Sequence, residues 1–97
     1  MNEYLKNHIH EEIDGAIEYM SKALELKPIH PKYSAKFFKM AEMELEHANC
    51  MLNMFNEMNK DAGMSDATYS EIVKSIMNDY TTNMTKIENM KKLYYSK

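Results

Sequence analysis

Apolar residues recur every three to four positions along the chain, a spacing that predicts helices and no strand. Three stretches carry this spacing, over about residues 3–26, 32–61 and 65–95. Two prolines in residues 27–31 end the first helix. Gly63 suits the end of the second, and Ser65 and Asp66 can cap the third. The sequence predicts one all-α domain over residues 1–97, an antiparallel hairpin followed by a C-terminal helix.

The second predicted helix has an apolar stripe that two polar residues interrupt. Glu44 and His47 occupy two positions of an otherwise apolar 4-3 alternation. The apolar members of this first stripe are Phe37, Met40, Met51, Met54 and Met58. A second stripe lies one residue further on and consists of Phe38, Ala41, Leu45, Ala48, Leu52 and Phe55. Because the two stripes together are wider than one helix can cover, we expect this helix to contact at least two neighbours.

The first predicted helix has one similar interruption, and the third has none. In the first helix, Glu12 fills the position between Ile9 and Ala16 in an apolar stripe. The stripe of the third helix holds no acid or histidine and consists of Tyr69, Val73, Ile76, Tyr80, Met84, Ile87 and Tyr94. We expect the third helix to serve packing.

The three polar residues on the stripes predict a metal site. An ionised carboxylate in an apolar seam is costly unless it is paired or binds a metal. Glu44 and His47 are three residues apart and therefore share one helical face, and we expect an antiparallel hairpin to place Glu12 roughly opposite them. Carboxylate and imidazole ligands suit iron first and manganese second, whereas zinc more often recruits further His or Cys. The alternative is a metal-free helical interaction protein whose buried polar residues specify register and partner.

Length and composition indicate which partners and which cellular location to expect for the protein. A chain of 97 residues buries a modest share of its surface, which favours oligomerisation. A net charge of -3 without a basic block argues against nucleic acid. No apolar run approaches the roughly 20 residues that cross a bilayer, so we expect a soluble cytoplasmic protein without membrane contact. The single cysteine, Cys50, excludes an internal disulfide and a Cys-x-x-Cys metal site.

Two segments resemble the ligand helices of the ferritin-like superfamily. Residues 12–19 combine a Glu, a small residue and a Tyr seven positions after the Glu. Residues 44–52 are similar to the second ligand helix of rubrerythrins and encapsulated ferritins. The resemblance covers residues from about 8 to 56. It implies that Glu12 is a terminal or bridging ligand, Glu44 the bridging carboxylate and His47 an imidazole ligand.

One chain holds only half of such a site, because no histidine follows His47. Ferritins and rubrerythrins supply the second Glu and the second Glu-x-x-His from two further helices of the same chain. Encapsulated ferritins complete the site across a two-fold axis between subunits. The resemblance therefore implies a homodimer, or a higher even-numbered oligomer, that forms a ferritin-like four-helix bundle around two metals. Four carboxylates and two divalent ions make that cluster nearly neutral.

The chemistry that the resemblance implies is ferroxidase chemistry, in which two iron ions per dimer go from Fe(II) to Fe(III) with dioxygen or peroxide. Glu12, Glu44 and His47 would be its catalytic ligands, and Tyr19 would orient a ligand or pass an electron. Iron binding without turnover is an alternative. The resemblance also suggests a shell protein as a partner and a protein compartment as the location, although residues 91–97 look like a helix end rather than a targeting peptide.

Three residues beside the predicted ligands have secondary roles in this hypothesis. His8 lies one turn before Glu12 and can reach or gate the same cavity. Glu11 and Glu46 point away from the seam and can guide iron toward it, or act only as solvated surface acids.

Overall fold

The protein is described by a computed structural model that covers residues 2–61 and 66–96. Three helices make up these ranges: α1 (Asn2–Leu26), α2 (Pro31–Asp61) and α3 (Asp66–Tyr95). The described residues contain no strand, and the predicted all-α class with three helices is confirmed. Gly63 and Ser65, expected to end α2 and cap α3, lie outside the described residues.

The connection between α1 and α2 is shorter than the sequence indicated. Pro31, expected in the linker, is the first residue of α2. Proline is well suited to that position, because its fixed φ matches the helix and the first turn needs no N–H from it. The Ile29 and His30 amides donate to the Leu26 carbonyl, which closes the end of α1. The buried Ser34 hydroxyl donates to the Ala23 carbonyl and so ties the first turn of α2 to the last turn of α1.

The core lies mainly between α1 and α2, which pack against each other along their length. α3 packs chiefly on α1 and contributes Ile76 and Ile87 to the buried core. The buried apolar residues of the hairpin are Leu5, Ile9, Ile13, Ala16, Met20, Ala23, Phe38, Ala41, Ala48, Leu52 and Phe55. In α2 these buried residues belong to the second stripe. The first stripe, expected in the core, is divided: Phe37, Met51 and Met58 are partly buried against the core, whereas Met40 is 39% and Met54 46% exposed.

Polar side-chain contacts join α1 to α2 at one end of the hairpin and the end of α1 to the end of α3 at the other. Near the open end of the hairpin, Asn2 and Asn59 exchange side-chain amide hydrogen bonds of 2.9 and 3.0 Å. At the opposite end, the Lys27 ammonium donates to the carbonyls of Tyr94 and Ser96 and lies over the Tyr94 ring. The start of α1 is therefore bonded to the end of α2, and the residue after α1 is bonded to the end of α3.

Across the described residues, no helix combines the length and apolarity needed to cross a bilayer.

Candidate metal centre

The three predicted ligands come together at one place on the hairpin. One ligand atom each of Glu12, Glu44 and His47 lies within 4.8 Å of the others. Among residues 2–61 and 66–96, no other set of three or more acidic, histidine or cysteine side chains lies close enough together to share a metal ion. The predicted convergence of α1 and α2 at these residues is therefore present in one chain.

Local helix geometry and close packing position the three side chains. Glu44 and His47 are one turn apart on α2, so both project from the same face. Glu12 reaches them from α1, whose neighbouring Ile13 and Ala16 are buried in the hairpin. The fully buried Ala16 and Ala48 leave little side-chain volume between the helices and so allow their close approach. Buried residues of both helices thus hold the candidate ligands in place.

Glu12 has a polar atom that the protein alone does not satisfy. Its Oε2 is buried without a hydrogen-bond partner, and its side chain is only 20% exposed. The His47 imidazole lies close, with Nδ1 3.4 Å from that oxygen, but it carries a positive charge only when it is protonated. A buried carboxylate oxygen without a partner is costly. Glu12 therefore lies where a bound cation would stabilise it.

The neighbouring carboxyl groups change the acidity of Glu44. A hydrogen bond with Glu12, burial and repulsion from the Glu12 charge raise the pKa of Glu44 from 4.5 to about 6, and His47 acts in the opposite direction. In the metal-free protein the two carboxyl groups therefore favour sharing a proton. A divalent cation between them would replace that proton and remove the repulsion.

The donor set fits iron. Two carboxylates and one imidazole are ligands that iron accepts readily, and Glu12 supplies an unpartnered buried oxygen aimed at the group. The His47 side chain is 55% exposed, so the site opens onto the surface of the single chain. The three candidate ligands therefore leave one side of the site open to further ligands.

The structure places the other predicted site residues elsewhere. Tyr19 packs against Phe37 with ring centroids 6.1 Å apart, and both rings border the core cluster around Met20 and Phe38. Its role toward a ligand or an electron stays a prediction.

The acids and the histidine beside the ligands are not part of the ligand group. His8 lies against the Tyr4 ring, with centroids 4.2 Å apart, and its Nδ1 is 3.6 Å from Glu11. Glu11 and Glu46 are exposed. Their proposed parts in gating or guiding iron stay predictions.

Sequence reasoning missed Gly15, which lies beside Glu44. A Cβ at Gly15 would be 3.2 Å from Glu44 Oε2. A glycine in the middle of a helix costs stability relative to alanine, so its position three residues after Glu12 was the available signal.

The comparisons with known proteins give one match. The rubrerythrin family model matches residues 3–96. Neither the curated proteins nor the solved structures gave a match. The matched range includes all three candidate ligands and continues through α3, so it is wider than the resemblance over residues 8–56. Iron is the metal that this family typically binds, in agreement with the donor set.

Proposed function

The chain belongs to the rubrerythrin family, and from this premise we propose that it is a ferroxidase with a two-iron centre completed between two copies. Glu12, Glu44 and His47 of each copy would hold the iron. The observation that carries the proposal is the meeting of these side chains within 4.8 Å around a buried, unpartnered carboxylate oxygen.

The surface around the half-site supports completion by a second copy. Met40, Met43 and Met54 are exposed on the part of α2 that also presents Glu44 and His47. Large apolar side chains around a polar centre are typical of a surface that another protein covers. Two-fold pairing of this surface with itself duplicates every ligand at the axis and gives four Glu and two His. These six residues are the ligand set of a di-iron carboxylate bundle.

In the proposed reaction, Fe(II) is the substrate. Two Fe(II) ions lose one electron each, and one dioxygen gains both electrons and two protons, which gives two Fe(III) and one hydrogen peroxide. Peroxide as the oxidant would take up two electrons and two protons and give two waters. Glu12 and Glu44 supply negative charge that favours Fe(III) over Fe(II), and His47 supplies a neutral nitrogen donor.

Oxygen uptake during Fe(II) addition tests the proposal. The wild type should consume about one dioxygen for two Fe(II), and Glu44→Ala should abolish this uptake because the shared carboxylate is gone. Glu46→Ala is the matched control, since Glu46 is exposed on the same helix and outside the ligand group. It should retain wild-type uptake.

Two other results would replace the proposal. Bound iron without oxygen uptake would indicate a non-catalytic iron-binding protein. Purified protein that binds no iron after loading would favour the metal-free interaction protein, in which Glu12, Glu44 and His47 specify the helix partner.

A further inference from the structure

We propose that Gly15 is a positioning residue for Glu44: its missing side chain leaves the space in which the Glu44 carboxylate sits when it binds metal. This inference rests on the proposed function, because it concerns the same site. It adds a residue that touches no metal and that the ligand pattern does not include.

The contacts around Gly15 point to one side chain. The three atoms nearest to a Cβ at Gly15 all belong to Glu44: Oε2 at 3.2 Å, Cδ at 3.7 Å and Cγ at 3.8 Å. The two carbon distances are ordinary van der Waals contacts. The oxygen distance is tighter than most contacts of a Cβ atom, so an alanine there would displace the carboxylate oxygen by a few tenths of an ångström.

Backbone conformation does not explain the glycine. Gly15 lies inside α1, where alanine is the residue that most favours helix. Glycine at such a position costs stability through the entropy that it loses on folding. The space next to Glu44 is therefore the reason that the structure offers for a glycine at this point of α1.

The effect of a side chain at this position depends on whether metal is bound. In the metal-free protein the Glu44 carboxylate ends a flexible side chain and can rotate away from a methyl group at little cost. When it binds metal, its oxygens are held to within about 0.2 Å of their ligand distances. An alanine should therefore disfavour the metal-bound form while it favours the metal-free helix.

Co(II) binding to the full-length Gly15→Ala variant tests this inference. Co(II) serves as an oxygen-stable stand-in for Fe(II), and its visible absorption reports coordination geometry. We expect Gly15→Ala to keep or raise the melting temperature of the metal-free protein, to weaken Co(II) binding by about 10- to 100-fold, and to change the absorption spectrum. Ser21→Ala is the control for helix propensity, because Ser21 is exposed on the same helix. It should leave affinity and spectrum unchanged.

The remaining outcomes separate the two proposals. Wild-type affinity and spectrum in Gly15→Ala would overturn the positioning role. So would a lowered melting temperature of the metal-free variant, since Gly15 would then serve helix packing. If the wild type itself bound no metal as Fe(II) or Co(II), the proposed function would fail, whatever the variant did.

Discussion

At the scale of single residues, the carboxyl groups of Glu12 and Glu44 oppose each other in the metal-free protein. Their proximity raises the pKa of Glu44 to about 6, and Glu12 keeps a buried oxygen without a hydrogen bond. Both features weaken the folded state of the metal-free chain. Both are also what a cation-binding site requires, because the cation relieves the repulsion and supplies the missing partner.

The raised pKa of Glu44 predicts how stability depends on pH in the presence of a chelator. Between 4.5 and about 6 the folded protein binds a proton that the unfolded chain has lost, so the free energy of unfolding falls as pH rises through this window. Glu44→Gln cannot ionise. It should melt a few degrees above the wild type at about pH 8 and close to it at about pH 4.5.

Thermal denaturation monitored by circular dichroism measures this difference. Glu46→Gln, at an exposed position of α2, should show no pH-dependent gain. An increase in the melting temperature of Glu44→Gln that is equal at both pH values would contradict the explanation, because an effect of side-chain packing does not depend on pH.

At the scale of helices, the hairpin of α1 and α2 carries the site, and polar contacts hold it near both ends. Ser34 ties α2 to the last turn of α1, and Asn59 ties α2 to the start of α1. Asn59 is buried, and its amide also donates to the Phe55 carbonyl at 2.7 Å. The contacts near the two ends restrict sliding of α1 along α2 and so keep Glu12 level with Glu44.

Removal of the Asn59 amide should destabilise the hairpin. Asn59→Ala leaves the Asn2 amide without its partner and should lower the free energy of unfolding by about 1–3 kcal/mol. Urea denaturation of the metal-free protein measures it. Asn53→Ala, at an exposed position of α2, is the control and should change stability little. Equal effects of the two substitutions would show that the amide pair does not hold the register.

The sequence predicted the three helices and the meeting of Glu12, Glu44 and His47, because the spacing of residues along each helix determines which side chains share a face. Prolines near residue 30 separate α1 from α2, and the i, i+3 spacing of Glu44 and His47 places both on one face. The sequence did not show which stripe of α2 is the more deeply buried, because the two stripes are one residue apart and both consist mainly of apolar residues. Gly15 and the Asn2–Asn59 pair depend on contacts between helices, and no spacing within one helix reveals them.

At the scale of the whole molecule, the proposed dimer would link assembly to chemistry through the exposed methionines beside Glu44 and His47. In the proposed dimer, the second copy would cover the exposed part of the first stripe of α2, in which Glu44 and His47 lie. Methionine side chains are flexible, so they can adjust their packing when two copies of this surface meet. Assembly and metal binding should therefore depend on the same surface.

A charge placed on this surface should separate the copies. Met54→Lys would bury an unpaired ammonium at the proposed interface, so the protein should sediment as a monomer and lose most of its iron affinity with all ligands intact. Leu93→Lys, at an exposed position of α3, should remain dimeric and bind iron. A dimeric Met54→Lys protein with normal iron binding would place the interface elsewhere.

Anaerobic Fe(II) titration, with the mass of the complex determined in parallel, measures whether two copies build one iron centre from Glu12, Glu44 and His47. We expect saturation at about two Fe(II) per dimer and no saturable binding in Glu44→Ala. Iron bound by a lone monomer, or unchanged stoichiometry in Glu44→Ala, would contradict it.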